Sequence, residues 1–433
     1  MRLIPFAPVI FCLFLSSLNA RAQDSLYARK IITRLSSPSF HGRGYVRNGD
    51  KKASAYIASE FRKMHVESLN SEYFQDFPIT VNTFPSRIEL IINGKKLIAG
   101  KDYLLDPASV SGTGKFSVER IVSSDLKDLN RLKNIILQHP HSALWIDDRN
   151  DSSYTKQERK LKPVLLNMLA TLPANTVPAI IISSTSKPSW TIDGFMQPIP
   201  IFTLSNTSLV DSIKSVEFKI VNKFLVDYKT RNVFGLIPGK IKPDSIIMLI
   251  AHYDHLGMMG KEAYFPGAND NASGVAMLLS LAHYYSKPEN KPDYTIAFLI
   301  VSAEELGLLG SQYFVENPLI NLNSVKFLLN IDMAGNGDLG VTVVNGTVYK
   351  DKFEKLVKIN AENNFMKQVK LRGEACNSDH CSFYRKGVPC FFIYTMGGVP
   401  YYHDVFDRSE TLPLGAFTNY FHLLSKFIDS IQH

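Results

Sequence analysis

A chain of 433 residues, 45% hydrophobic and 20% charged, is long enough for two or three folding units and too apolar for a disordered polymer. Its 25 Gly and 22 Pro are ordinary counts and exclude collagen-like and proline-rich classes. The net charge of +8 is scattered and forms no basic run, which describes a solvated surface and argues against a nucleic-acid partner.

Residues 1–22 read as a removable leader. Arg2 gives a positive start, Ile4 to Leu15 form an apolar stretch broken only by prolines, and Ala20-Arg21-Ala22 fits a cleavage site before Gln23. The stretch is too short and too proline-broken to span a membrane, and Cys12 lies in a poor context for lipid attachment. No later stretch approaches the ~18 apolar residues of a span. The expectation is an exported protein, periplasmic or extracellular, with no stable membrane insertion after cleavage. Export permits disulfides, but Cys376, Cys381 and Cys390 are too few for a disulfide scaffold.

Residues 23–84 read as helical, with Leu26, Ile31, Ile32 and Leu35 on one face and Ala55, Ile57, Ala58 and Phe61 on another. The loop His41-Gly42-Arg43-Gly44 separates them. Residues 85–228 change texture. Short β-like runs (Arg87–Ile92, Ala143–Ile146, Ala179–Ile182, Ile199–Thr203, Val216–Val221) alternate with polar turns, and no dense His/Asp/Glu group occurs. This segment reads as an inserted β-rich module. Residues 229–433 alternate strand and helix. Ser245–Ala251, Tyr294–Ser302, Val325–Ile331 and Val388–Thr395 are continuous apolar runs, as buried parallel strands are. Ala272–Tyr285, Phe353–Asn363 and Leu414–Ile431 read as helices. The expected fold class is α/β, with helices covering a mixed, mostly parallel sheet.

In such sheets ligands bind beyond the carboxyl ends of the strands. Those ends carry His252, Asp254 and His255, then Glu304 and Glu305, then Asp332, and, past a Gly-Gly loop, Tyr402, His403 and Asp404. Asp270 lies in Pro266–Gly274, just before a helix. Each has an ordinary alternative. Asp270 alone could cap the helix, Glu304-Glu305 could be a solvated pair, and His403 could be a surface histidine. Gathered at one sheet edge, they describe a metal site. Two imidazoles and three carboxylates without a thiolate suit Zn²⁺ or a similar ion. Five ligands exceed the usual three of one catalytic zinc and fit two ions sharing a carboxylate. Two Zn²⁺, three carboxylates and a bridging hydroxide sum to neutrality.

His252-Tyr253-Asp254, Pro266–Gly274, Glu304-Glu305-Leu306-Gly307, Asn330-Ile331-Asp332-Met333, Ser378-Asp379-His380 and Tyr402-His403 together resemble the co-catalytic zinc exopeptidases related to aminopeptidase Y and bacterial secreted aminopeptidases. The resemblance is strong from Arg231 to the C-terminus and loose over Ser25–Phe84. It implies a three-layer zinc-exopeptidase fold and an aminopeptidase acting on peptides with two Zn²⁺ ions. It implies His252 and Asp332 on one zinc, Glu305 and His403 on the other, and Asp270 bridging. Glu304 becomes the general base for a metal-bridging water, Tyr402 stabilises the oxyanion, and Asp254 orients His252 through its other ring nitrogen. His41–Gly44 becomes a structural turn near the cleft, and the insert resembles a protease-associated domain. Single-zinc glutaminyl cyclases, carboxypeptidases and non-catalytic binding proteins on the same fold are the alternatives. Aminopeptidase and carboxypeptidase relatives differ in whether acids meet a free amine or an arginine meets a free carboxylate, and sequence alone does not position those groups. Cys376 and Cys381 flank the Ser378-Asp379-His380 segment and could bridge if the loop turns; the other two states are a bridge to Cys390 on the apolar strand Val388–Thr395, or reduced thiols throughout.

Overall fold

The structure is a computed structural model and describes residues 25–69, 72–122, 125, 128–149, 169, 172–173, 176–184, 189–205 and 212–432. The expected leader, residues 1–22, lies outside the described residues. The central sheet has eight strands: β1 (Phe74–Thr83), β2 (Lys223–Ile237), β3 (Lys242–His252), β4 (Tyr294–Val301), β5 (Val325–Asp332), β6 (Gly340–Val344), β7 (Val369–Leu371) and β8 (Cys390–Met396). Their order is β1-β2-β4-β3-β5-β8-β6-β7. The middle four, β4, β3, β5 and β8, are mutually parallel; β1–β2, β2–β4 and β8–β6 pair antiparallel, and β7 joins β6 in parallel.

Both faces of the middle strands are covered, which explains their unbroken apolar sequences. On one face Ile247, Leu249, Ile296, Phe298, Leu329 and Ile393 pack against helices 25–35, Gly49–Lys63, Gly274–Tyr285 and Phe417–Ser430. On the other face Met248, Ile250, Leu299, Leu328 and Cys390 meet Phe314 of helix Leu309–Glu316 and Phe383 of helix His380–Tyr384. Each fully buried aliphatic or aromatic side chain here contributes about 1.5–3 kcal/mol. The sheet edge that carries the polar residues is therefore a rigid platform. Among the described residues no helix is long and apolar enough to cross a membrane.

Four strands depart from the sequence expectations. Residues 74–83 form a strand within the segment read as helical. Phe77, Ile79 and Val81 are buried while Asp76 and Pro78 face out, a period of two. The central sheet takes the chain up again at Lys223, inside the stretch assigned to the insert. The strands β6 and β7 were not expected: β6 is only five residues long, and β7 is three residues with two of them exposed, too short to show a period.

A second sheet is built from strands between Glu89 and Ile220. Four of the expected β-runs occur there as Ala143–Asp148, Ile180–Ser184, Ile201–Leu204 and Ser215–Ile220, and Arg87–Ile92 narrows to Glu89–Ile92. The unexpected strand Gly112–Val122 alternates half-buried and exposed positions up to Val118 and buries only Ile121, so its apolar signal is weak. This sheet shares a core with the hairpin Gly257–Met259/Ala263–Phe265, through Trp145, Trp190 and Phe202 against Met259 and Phe265. Trp190 stacks on Phe265 with ring centroids 4.5 Å apart, and its backbone N–H donates to the His403 carbonyl at 3.5 Å. The second sheet thus braces the loop that carries His403.

Cys376 and Cys381 are joined in a disulfide with Cα atoms 4.9 Å apart, and Cys390 is a buried free thiol. Of the three states left open by the sequence, the structure has the Cys376–Cys381 bridge.

Candidate metal centre

His252 ends β3 and Asp332 ends β5, so neighbouring parallel strands deliver both side chains to one edge. Glu304 and Glu305 follow β4 after Ala303, whose φ of 59° turns the chain sharply. Left-handed backbone recurs at Met333 (φ 45°), next to Asp332, and at His403 itself (φ 55°). Such conformations cost of order 1 kcal/mol or more each for non-glycine residues and cluster where side chains must be aimed. Asp270 does not cap a helix. It lies in the irregular turn Ala268–Ser273 with extended backbone (φ −104°, ψ 103°), and helix Gly274–Tyr285 begins after it.

The five side chains proposed as ligands converge. Asp270 Oδ1 stands 3.4 Å from His252 Nε2, and its Oδ2 stands 3.3 Å from His403 Nε2. Asp332 Oδ2 is 3.6 Å from His252 Nε2, and Glu305 Oε2 is 3.2 Å from His403 Nε2. One carboxylate thus faces two imidazoles, each with a second carboxylate beside it. Glu304 stands within the same group, its oxygen less than 4.8 Å from ligand atoms of His252 and Glu305.

These contacts are spaced as donors around a shared centre. Asp332 Oδ1 and His403 Nε2 are buried without a hydrogen-bond partner among the described residues. Asp254, Asp270, Asp332 and Asp379 are all buried, and the buried cation Arg43 is set against Asp270, Asp407, Asp254 and Glu305. Uncompensated buried carboxylates are costly, and a divalent cation offsets them. The donor set of imidazole and carboxylate suits zinc. Burial drives the Glu304 carboxyl well above its ordinary range, while the His255 and His403 contacts outweigh burial at Glu305 and hold it well below.

The loop bearing Asp270 is held from both ends. Arg43, fully buried, donates to the carbonyls of Tyr253 (2.7 Å), Pro266 (2.6 Å), Gly267 (2.8 Å) and Asp270 (3.0 Å). The Asp407 carboxylate accepts from the backbone N–H of Asn269 (2.9 Å) and Asp270 (3.0 Å). The His41–Gly44 turn is what lets Arg43 reach in. Gly42 has φ +62°, and a Cβ there would lie 2.4 Å from the Gly257 carbonyl oxygen.

Asp254 sits differently from the expectation. The His252 Nδ1 partner is the Asp254 main-chain carbonyl at 3.2 Å, whereas the carboxylate is 3.8 Å away. That carboxylate accepts from the backbone N–H of Glu304 (3.2 Å) and Glu305 (3.4 Å), which fixes the turn carrying both glutamates. Tyr402 stacks on His403 with centroids 3.9 Å apart and is 59% exposed, at the rim of the site.

Two participants were given no role from sequence. Asp407 is one, in a loop whose partner is distant in the chain. His255 is the other. Fully buried, its Nδ1 lies 2.7 Å from Glu305 Oε1. Its adjacency to His252-Tyr253-Asp254 was the only available signal. Groups that orient a ligand typically contribute 10–100-fold to metal affinity. His255→Ala is accordingly expected to weaken retention of one zinc equivalent about 10-fold or more in a chelator competition, with the other retained. Unchanged retention of both would remove His255 from this role. His380, by contrast, points away from the ligands: its Nε2 contacts the Ala375 carbonyl at 2.7 Å and its ring stacks on Phe392.

The family model described as Peptidase family M28 matches residues 232–428. Aminopeptidase YwaD of Bacillus subtilis (strain 168) is 25% identical over 381 residues, which cover 83% of this chain and 75% of that protein. A probable leucine aminopeptidase of Trichophyton verrucosum (strain HKI 0517) is 29% identical over 192 residues, 43% of this chain, and the match spans about half (52%) of that relative's length. Among solved structures, BSAP, a zinc aminopeptidase from Bacillus subtilis, superposes with a TM-score of 0.66 at 20% identity, covering 93% of this chain and 94% of the other. A peptidase M28 precursor from Shewanella amazonensis SB2B gives a TM-score of 0.70 at 17% identity, covering 96% of each chain. At those identities the structural likeness is one of fold.

Proposed function

The chain is a zinc metallopeptidase of peptidase family M28, and from that premise we propose that it is an exported aminopeptidase removing N-terminal residues from peptides with two zinc ions. The observation that carries this reading is the Asp270 carboxylate standing between His252 and His403, with Asp332 and Glu305 on either side. In the proposed roles His252 and Asp332 hold one ion, Glu305 and His403 hold the other, and Asp270 serves both. Bound there, the ions would supply Lewis-acid polarisation of the scissile carbonyl and a more acidic water. Glu304 accepts a proton from the attacking water and returns it to the leaving amine. The Asp254 carboxylate keeps the Glu304 and Glu305 backbone in place, so that one side chain ligates while its neighbour moves protons. Tyr402 offers its hydroxyl to the developing oxyanion from the rim.

The test is direct. Zinc-loaded mature protein is expected to bind close to two zinc ions per chain, to hydrolyse aminoacyl p-nitroanilides, and to leave their N-acetylated analogues intact. Cleavage of N-blocked peptides at their C-terminus would replace the aminopeptidase with a carboxypeptidase. A single zinc with cyclisation of N-terminal glutamine would replace the peptidase reaction itself. Export is tested by N-terminal sequencing of protein recovered outside the cytoplasm, which is expected to begin at Gln23.

A further inference from the structure

One cationic side chain beside the site has no part in the reading above. Arg372 follows the edge strand β7, where its backbone N–H donates to the Val343 carbonyl at 3.0 Å. Its Nη1 donates to the Tyr394 hydroxyl at 3.1 Å. Tyr394 lies on β8 as the register partner of Asp332 on β5. Register partners share a face of the sheet and adjacent strands stand ~4.8 Å apart, so the tyrosine leaves the same face as that carboxylate, one strand along. The segment 375–380 covers this face. Asn330 Nδ2 donates to Ser378 Oγ at 2.8 Å, and His380 stacks on Phe392, the register partner of Asn330. The loop is tied by the Cys376–Cys381 disulfide.

Among the described residues no ion pair involves Arg372; its charge bears on His380, and Glu374, two residues on, is engaged with Tyr384 instead. A guanidinium carries five donors in a planar fork that matches a carboxylate in two places. Tyr394 occupies Nη1 and braces the group, leaving the rest of the fork unclaimed.

We propose that Arg372, braced by Tyr394, lines a substrate subsite beside Asp332 and selects substrates that present a carboxylate there. This rests on the peptidase reading. The carboxylate has two sources: the side chain of an acidic residue at the cleaved position, or the terminal carboxylate of a short peptide.

The experiment measures kcat/KM on zinc-loaded enzyme for Glu- and Gln-p-nitroanilide, an isosteric charged and neutral pair, and for Ala-Ala against Ala-Ala-amide. For wild type a preference for the charged member of one pair is expected. Arg372→Gln should lower that ratio at least 10-fold, mainly through KM, with Arg372→Lys intermediate because it keeps charge without the fork. Tyr394→Phe should lower it less and in the same pair. A change in the first pair assigns the side chain, and a change in the second assigns the terminus. If both ratios survive in both arginine variants, the subsite is overturned while the peptidase stands. A wild type inactive on every one of these substrates sinks the peptidase reading and the subsite with it.

Discussion

Glu304→Gln is expected to retain both zinc ions and to lose at least about 100-fold in kcat, the low end of what a positioned acid–base group contributes. That factor corresponds to about 2.7 kcal/mol of transition-state stabilisation. The amide keeps the shape of the side chain and the backbone contact from Glu304 N–H to Asp254, so the turn should persist. What it cannot do is accept the proton of the attacking water. The substitution is informative because geometry alone leaves a competing assignment open: His252, Glu304 and Glu305 also stand close enough together to share an ion. Metal analysis beside the kinetics separates the two. Loss of one zinc equivalent in the variant would make Glu304 a ligand and pass the proton-handling role to Glu305.

Asp270→Ala is expected to abolish measurable turnover and to weaken both metal sites together, because this carboxylate alone faces both imidazoles. The loop itself should keep its course, since Arg43 and Asp407 hold its main chain and do not touch the Asp270 carboxylate. Stability reports the same effect. A ligand that binds only the folded state at 100 times its dissociation constant adds about 2.7 kcal/mol. Added zinc should therefore raise the melting temperature of wild type well above that of Asp270→Ala. Asp270→Asn provides the isosteric control, keeping volume while removing charge. Equal zinc-induced shifts in wild type and in both variants would falsify the shared-carboxylate assignment.

The candidate ligands were visible in sequence for a simple reason. Most follow an apolar run long enough to be a buried strand, and strand ends in a parallel sheet share one edge. His252 after β3, Glu304 and Glu305 after β4, and Asp332 after β5 are instances of one rule applied three times. His403 follows the rule only at a remove, past a Gly-Gly loop after the run Val388–Thr395, and Asp270 lies outside it, in the segment Pro266–Gly274 before a helix. Both sit on loops, and the resemblance supplied their roles. Strand β1 was hidden because its alternation offers only three apolar members, Phe77, Ile79 and Val81, and a proline, Pro78, sits among them.

The sequence by itself determined the α/β class, the sheet edge on which chemistry gathers, and the imidazole and carboxylate character of that edge. Those are local properties, written in the hydrophobic period and in what terminates each run. Tertiary structure alone decided that the Asp254 carboxylate serves the Glu304-Glu305 turn, that His255 backs Glu305, and that Arg43 and Asp407 clamp the Asp270 loop. It also decided that Arg372 comes to Tyr394 beside Asp332. These are relations between residues far apart in the chain, and a hydrogen bond to a main-chain atom leaves no mark on the identity of the residue that receives it. The side chains that do chemistry are constrained by type and so are legible, whereas those that hold them are constrained by distance, which exists only after folding.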